Sequence, residues 1–216
     1  MLEINHEGQL SEKQRQYLLS TYDKNDFFCD KKSRLKFWIN PNMGAVGEID
    51  FIKGWEILDL GCGSKISSSV DGYDQSEYEA WFPRVCSLYG AKKVVGIDLY
   101  EQDPKDKSLY THISANLLNL LSGDNLVKKL SPQKFDLINM CGVCVPGSPG
   151  NTFAETLGLG MSAICLGMLP SNYTENVNAL INNLKKQSVE ILKPGGILAL
   201  DVDIYKLNDS GILVNR

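Results

Sequence analysis

Glu56-Ile57-Leu58-Asp59-Leu60-Gly61-Cys62-Gly63-Ser64 is the stretch that decides the fold. An apolar, strand-like run meets an acid and then two glycines one residue apart. Glycine has no Cβ, so the backbone can turn tightly and approach a ligand closely. A strand that runs into Gly-x-Gly is therefore a place for a small molecule to touch main chain.

Downstream, strand and helix patterns alternate. Residues 55–60 make the first strand. Residues 76–89 follow as a helix, with Tyr78, Trp81, Phe82, Val85 and Leu88 near helical spacing and Gly90 as its stop. Pro83 requires that helix to kink or to start late. Lys93-Val94-Val95-Gly96-Ile97-Asp98-Leu99 is a β-branched second strand ending in an acid, and residues 110–114 are a short third from which Ala115-Asn116-Leu117-Leu118 leads away. Phe135-Asp136-Leu137-Ile138-Asn139-Met140 is the fourth strand. Residues 174–192 form the clearest helix, with Val177, Leu180, Ile181, Leu184, Ile191 and Leu192 on one stripe and Lys193-Pro194-Gly195-Gly196 as terminator. A fifth strand at 197–202 and a small hairpin at 204–216 across Asn208-Asp209-Ser210-Gly211 complete the chain. Such alternation implies an α/β fold, a doubly wound and mostly parallel sheet with helices on both faces.

The 216 residues, 43% of them hydrophobic, suffice for one domain with a proper core. Residues 1–50 read as an N-terminal helical arm or lid and residues 51–216 as the domain. In the arm, the polar segment 11–22 has Leu10, Tyr17, Leu18 and Leu19 as a modest apolar face. A formal charge of -4 gives no broad basic field, which argues against a binder of duplex nucleic acid. The one dense basic cluster, Asp30-Lys31-Lys32-Ser33-Arg34-Leu35-Lys36-Phe37-Trp38, reads as a solvated face ahead of a phosphate-binding patch. Met1-Leu2-Glu3-Ile4-Asn5-His6-Glu7 has neither a basic n-region nor an apolar run, so no secretory signal is read and a cytoplasmic location is expected. The most apolar stretch, 157–169, is too short to span a bilayer, and no membrane association is expected.

Cys29, Cys62, Cys86, Cys141, Cys144 and Cys165 lie in apolar or small-residue surroundings, the pattern of reduced, packed thiols. Only Cys141-Gly142-Val143-Cys144 has metal or redox spacing. It lacks a second cysteine pair, and His6 and His112 are distant in sequence, so no metal site is expected.

In a doubly wound sheet the strand ends share one edge, and ligands bind outside the carboxyl ends at the switch point. Asp59, Gly61, Gly63, Asp98, Asn116 and Asn139 are expected to converge there. The set Ile57-Leu58-Asp59-Leu60-Gly61-Cys62-Gly63-Ser64, Val95-Gly96-Ile97-Asp98, Phe135-Asp136-Leu137-Ile138 and Leu192-Lys193-Pro194-Gly195-Gly196 resembles the class I S-adenosylmethionine-dependent methyltransferases, whose sheet is Rossmann-like. The resemblance covers roughly Gly54 to Val202. It implies S-adenosyl-L-methionine as cofactor, with Gly61, Cys62 and Gly63 at the methionine moiety and Asp59 toward its amino group. It also implies Asp98 on both ribose hydroxyls, Leu99 against the adenine face, Asn116 and Leu117 at the adenine amino group, and Asn139 and Met140 beside the methionine end and the methyl. Each residue has a plainer alternative: helix–strand packing for the glycines, a turn cap for Asp98, a turn or cap residue for Asn116.

Departures from the family pattern bear on the cofactor. Lys65 stands where a third glycine is usual, and Ile66 where a dinucleotide Gly-x-Gly-x-x-Gly needs glycine, which weakens an NAD(P)-dependent oxidoreductase more than a methyltransferase. Residues 68–78 read as an insertion beside the cofactor. After Asp201 the usual helix and two long strands are missing, so a shortened C-terminal end is expected.

The expected reaction is in-line methyl transfer to a small molecule or a protein side chain. No catalytic residue is assigned, and His112, inside the third strand and short of its carboxyl end, is read as structural. Tyr78, Trp81, Cys141 and Val143 are the candidate acceptor-site residues, with core packing placed ahead for Trp81. The long loop 141–172, rich in proline and glycine, reads as a functional lid. Asn139-Met140-Cys141-Gly142 differs from the Asn/Asp-Pro-Pro-aromatic sequence of amino-methylating enzymes, which argues against base methylation. A catalytically inactive binding subunit of the same fold, with a protein partner, is the second reading.

Overall fold

The structure, a computed structural model, describes residues 52–63, 80–140, 173–200 and 203–215. The N-terminal arm, the basic cluster, the 68–78 insertion with Tyr78, the 141–172 loop with Cys141, Val143 and Cys144, and the side chain of Trp81 lie outside the described residues.

Seven strands form one sheet: β1 (Glu56–Leu60), β2 (Lys93–Asp98), β3 (Thr111–Ser114), β4 (Phe135–Met140), β5 (Leu192–Leu200), β6 (Asp203–Leu207) and β7 (Leu213–Asn215). Their order is β3-β2-β1-β4-β5-β6-β7. The first five are parallel, and β6 and β7 add on as an antiparallel edge. The chain thus moves one way from β1 to β2 and the other way from β4 to β5. With right-handed crossovers, that reversal puts the intervening helices on opposite faces. Helix α1 (Trp81–Leu88) covers one face; α2 (Leu117–Leu121), α3 (Asn125–Leu130) and α4 (Tyr173–Ile191) cover the other. The fold is the expected doubly wound α/β sheet.

Alternation along each strand sorts the core into two layers. Ile57, Val94, Leu137, Ile197 and Ala199 pack with Phe82, Val85 and Cys86 of α1. Leu58, Leu60, Val95, Ile97, Ile138 and Leu198 pack with Leu121, Leu126, Leu130, Leu180 and Leu184 from the other helices. Buried on both sides, the central strands read as continuous apolar runs, as parallel strands do.

Helix α1 begins at Trp81, the late start that Pro83 imposes: in the first turn a missing N–H costs no intrahelical bond. It ends in a Schellman motif, in which Ala91 N–H bonds Cys86 O and Gly90 N–H bonds Ser87 O, with Gly90 at φ +89°. From α1, Arg84 reaches the 3-10 turn Pro104–Asp106, and both side chains of that ion pair are almost wholly buried. The pair ties the β1–β2 and β2–β3 crossovers together on one face.

Lys193-Pro194-Gly195-Gly196 is not a helix terminator followed by a strand, as its composition suggested, but part of β5 itself. Phe135 pairs with Leu192 and Leu137 with Ile197, so residues 193–196 of β5 lie opposite Asp136 alone, an irregular bulge. Gly195, at φ +75°, supplies the bend, and Pro194 needs no ladder donor there. The lower edge of the sheet is held by charge. Asp136 Oδ2 accepts from Glu56 N–H at 2.7 Å and from Lys193 Nζ at 2.8 Å, and Glu56 Oε1 accepts from Lys92 Nζ at 2.8 Å. At the far edge Asn208 closes the β6–β7 hairpin: its N–H and its Oδ1 both bond Ile212 main chain. Among the described residues no helix is long and apolar enough to cross a membrane.

Candidate functional site

The carboxyl ends of β1, β2 and β4 lie side by side at the point where strand order reverses. Past β1, Gly61 and Gly63 take φ of +76° and +88°, conformations that a side chain disfavours. Both Gly61 N–H and Cys62 N–H turn onto the Ile97 carbonyl of β2, at 2.8 and 3.2 Å. Gly63 N–H then donates to Asp98 Oδ2 at 3.0 Å, while Leu99 N–H donates to Oδ1 at 2.8 Å. Ala115 N–H, just past β3, bonds the Asp98 carbonyl at 2.7 Å. Asp98 is therefore the junction of three strand ends.

Beneath this turn runs a row across the sheet on the α1 side. Register places His112, Gly96, Asp59, Asn139 and Ala199 next to one another on five successive strands. Asn139 Nδ2 donates to Asp59 Oδ1 at 2.7 Å, and both residues are buried. Burial pushes the Asp59 carboxyl up to about 7, with the nearby Asp98 charge adding to it against the Asn139 bond.

Gly96 leaves a gap in this row that the Cys62 side chain fills. A Cβ at position 96 would stand 2.6 Å from Cys62 Sγ and 2.9 Å from the Tyr110 ring. The thiol, with one hydrogen to give, has two acceptors in reach, Gly63 O at 3.2 Å and His112 Nδ1 at 3.8 Å. His112 Nε2 lies 2.8 Å from Tyr100 O, a carbonyl that only accepts, so Nε2 carries the hydrogen and Nδ1 is left as acceptor. The histidine thus clips the turn after β1 to the segment after β2. Burial, reinforced by the Asp59 charge, raises the thiols of Cys62 and Cys86 well above their ordinary range and keeps them protonated. Burial likewise raises the Tyr110 hydroxyl.

The structure brings Asp59, Gly61, Cys62, Gly63, Asp98 and Asn139 to one place, with Leu99 half-buried beside Asp98. Asn116 begins α2: its carbonyl accepts from Asn119 and Leu120 N–H, the position of an N-cap. Leu117 and Met140 are buried in the core layer of the opposite face. His112 and Tyr110, which with Gly96 shape the floor under the turn, belong to no motif; Gly96 lies inside Val95-Gly96-Ile97-Asp98, where a glycine within a strand signals a close approach. Among the described residues, no group of three or more potential metal ligands occurs.

No protein-family model matches the chain, and no curated protein does. Among solved structures, it is similar to the MycE methyltransferase from the mycinamycin biosynthetic pathway. One crystal form with Mg and SAH matches at 13% identity and a TM-score of 0.38, over 77% of this chain and 38% of that one. A complex with Mg, SAH and mycinamycin VI matches with the same identity and TM-score, over 37% of its chain. This chain thus spans less than two-fifths of the length of those proteins.

Proposed function

We propose that this edge binds S-adenosylmethionine and that the protein transfers its methyl group to a small molecule or a protein side chain. The observation that carries the reading is the Gly63–Asp98 bond, which fixes a positive-φ glycine turn against a carboxylate at the switch point.

The donor set fits an adenosyl amino acid. A carboxylate at the end of β2 suits a ribose diol, since its two oxygens accept side by side. At Gly61 and Gly63 the absent Cβ leaves main chain open to the amino-acid end, and Asp59 supplies an acid for its ammonium group. The cofactor, once bound, supplies an activated methyl and a good leaving group. What remains for the chain is alignment: holding the two ends of the cofactor rigidly sets the sulfur–methyl direction. In well-oriented systems such positioning is worth about 7 to 11 kcal/mol.

The test is titration calorimetry of the full chain with S-adenosylhomocysteine and, separately, with NAD. The expected result is binding of the first and none of the second, with affinity reduced in Asp98→Ala. If S-adenosylhomocysteine does not bind, the reading is wrong. If it binds but methyl transfer is absent across peptide and metabolite panels, a non-catalytic binding subunit takes its place.

A further inference from the structure

Among the described residues, nothing of opposite charge meets Asp59. It is 3% exposed and accepts a hydrogen bond from Asn139. The titratable groups around it are the Asp98 carboxylate at the end of β2, the Cys62 thiol in the turn, the Cys86 thiol on α1 and the Tyr110 hydroxyl at the entry to β3. All of these are neutral or negative. The nearest buried cation on α1, Arg84, is held by Asp106 through two bonds of 2.7 and 2.9 Å. Among the described residues, no lysine or arginine forms an ion pair with Asp59. Burial of this kind favours the protonated form of the carboxyl, and an incoming cation favours the anion.

We propose, resting on the cofactor reading above, that Asp59 holds a proton in the ligand-free protein and exchanges it for the ligand's ammonium group. The site thereby selects adenosine derivatives that carry a cationic amino acid. In the exchange the O–H bond of the carboxylic acid breaks, and its proton passes to buffer. The carboxylate left behind is neutralised by the incoming ammonium, and no electrons change hands. Asn139 donates to Oδ1, which leaves Oδ2 to carry the proton; after the exchange the same bond steadies the anion. Burial as the dominant cause, with the carboxyl pushed up to about 7, sets the range in which the exchange is visible. Linkage then makes affinity fall, toward about tenfold per pH unit, below that value.

Calorimetry from pH 5.5 to 7.5, in buffers of different ionisation enthalpy, reads both affinity and protons released. The probes are S-adenosylhomocysteine and methylthioadenosine, which keeps the nucleoside and the sulfur but has no amino-acid group. Expected for the first is about one proton released near pH 6 and an affinity that weakens toward tenfold per unit on acidification. Methylthioadenosine is expected to bind with no such slope. Asp59→Asn should flatten the S-adenosylhomocysteine profile while leaving methylthioadenosine binding in place. Asn139→Ala, which removes the bond that favours the anion, should move the onset of the slope to higher pH and carries the test should Asp59→Asn not fold. Binding of S-adenosylhomocysteine without proton release, or equal slopes for both probes, overturns the exchange and leaves the cofactor reading standing. Failure of both probes to bind at every pH overturns both.

Discussion

Gly63 N–H donates to Asp98 Oδ2 at 3.0 Å, so the turn that closes β1 and the acid that closes β2 form one rigid unit. Asp98→Ala removes that acceptor and the one for Leu99 N–H together. A hydrogen bond to a charged group contributes about 1.5–3 kcal/mol, so affinity for S-adenosylhomocysteine should fall by about 10- to 100-fold. Asp98→Asn, which keeps one acceptor oxygen, should fall between the two, and calorimetry on the three proteins gives the order.

Gly96→Ala places a methyl 2.6 Å from Cys62 Sγ and 2.9 Å from Tyr110, inside a strand paired on both sides. Overpacking of this kind costs about 1–3 kcal/mol. In a Cys62→Ala background the sulfur is gone, and the same substitution should cost clearly less. Urea denaturation of the four proteins of that cycle measures the coupling, and simple additivity would mean that the thiol does not occupy the gap.

Arg84 and Asp106 are paired almost out of reach of water. Asp106→Asn or Arg84→Leu alone strands a buried charge or leaves its partner unanswered, at about 3–5 kcal/mol. Replacing both by apolar residues should cost less than either single change. Chemical denaturation midpoints at constant m-value decide it.

Stability should also follow the Asp59 proton. Its carboxyl is pushed up to about 7 in the folded protein, against about 4 for an unfolded aspartate. Between those values the native state holds a proton that the unfolded state has lost, so this group makes stability fall as pH rises from about 4 to 7. The total is at most about 4 kcal/mol and is complete above 7. Unfolding in urea at pH 5 and pH 8 should show a smaller pH difference in Asp59→Asn than in the parent protein.

The strands were legible because each is a short apolar run with its own punctuation, and because parallel strands buried on both faces leave no alternation to misread. Asp59, the two glycines and Asp98 stood out through strand-end position. Helices α2 and α3 did not: with five and six residues, either side of Gly123, they are too short to display a period. Nor did Gln187, a polar residue buried on α4, announce its task. Its Oε1 accepts from Leu126 and Val127 N–H at the start of α3, and its Nε2 donates to Leu121 O at the end of α2. Such a residue reads as surface until the helices it joins are known. The bulge at 193–196 was hidden for a related reason, since proline and glycine mark both a helix stop and a distorted strand. Cys62 and Gly96, 34 positions apart, complement each other in volume only once register sets the strands side by side.

The Lys193–Asp136–Glu56–Lys92 cluster and the Asp59–Asp98 pair occupy opposite ends of the same strands. Three steps along β1 carry the chain from Glu56 to Asp59, about 10 Å at strand rise. Salt screens the exposed rim charges over about 8 Å and acts much less on the buried Asp59. The Asp59 carboxyl is moved by its burial, by Asn139 and by Asp98, and by none of the rim charges. Surface charge on the lower rim is free to drift, or to be re-engineered for solubility, without the ligand edge registering the change.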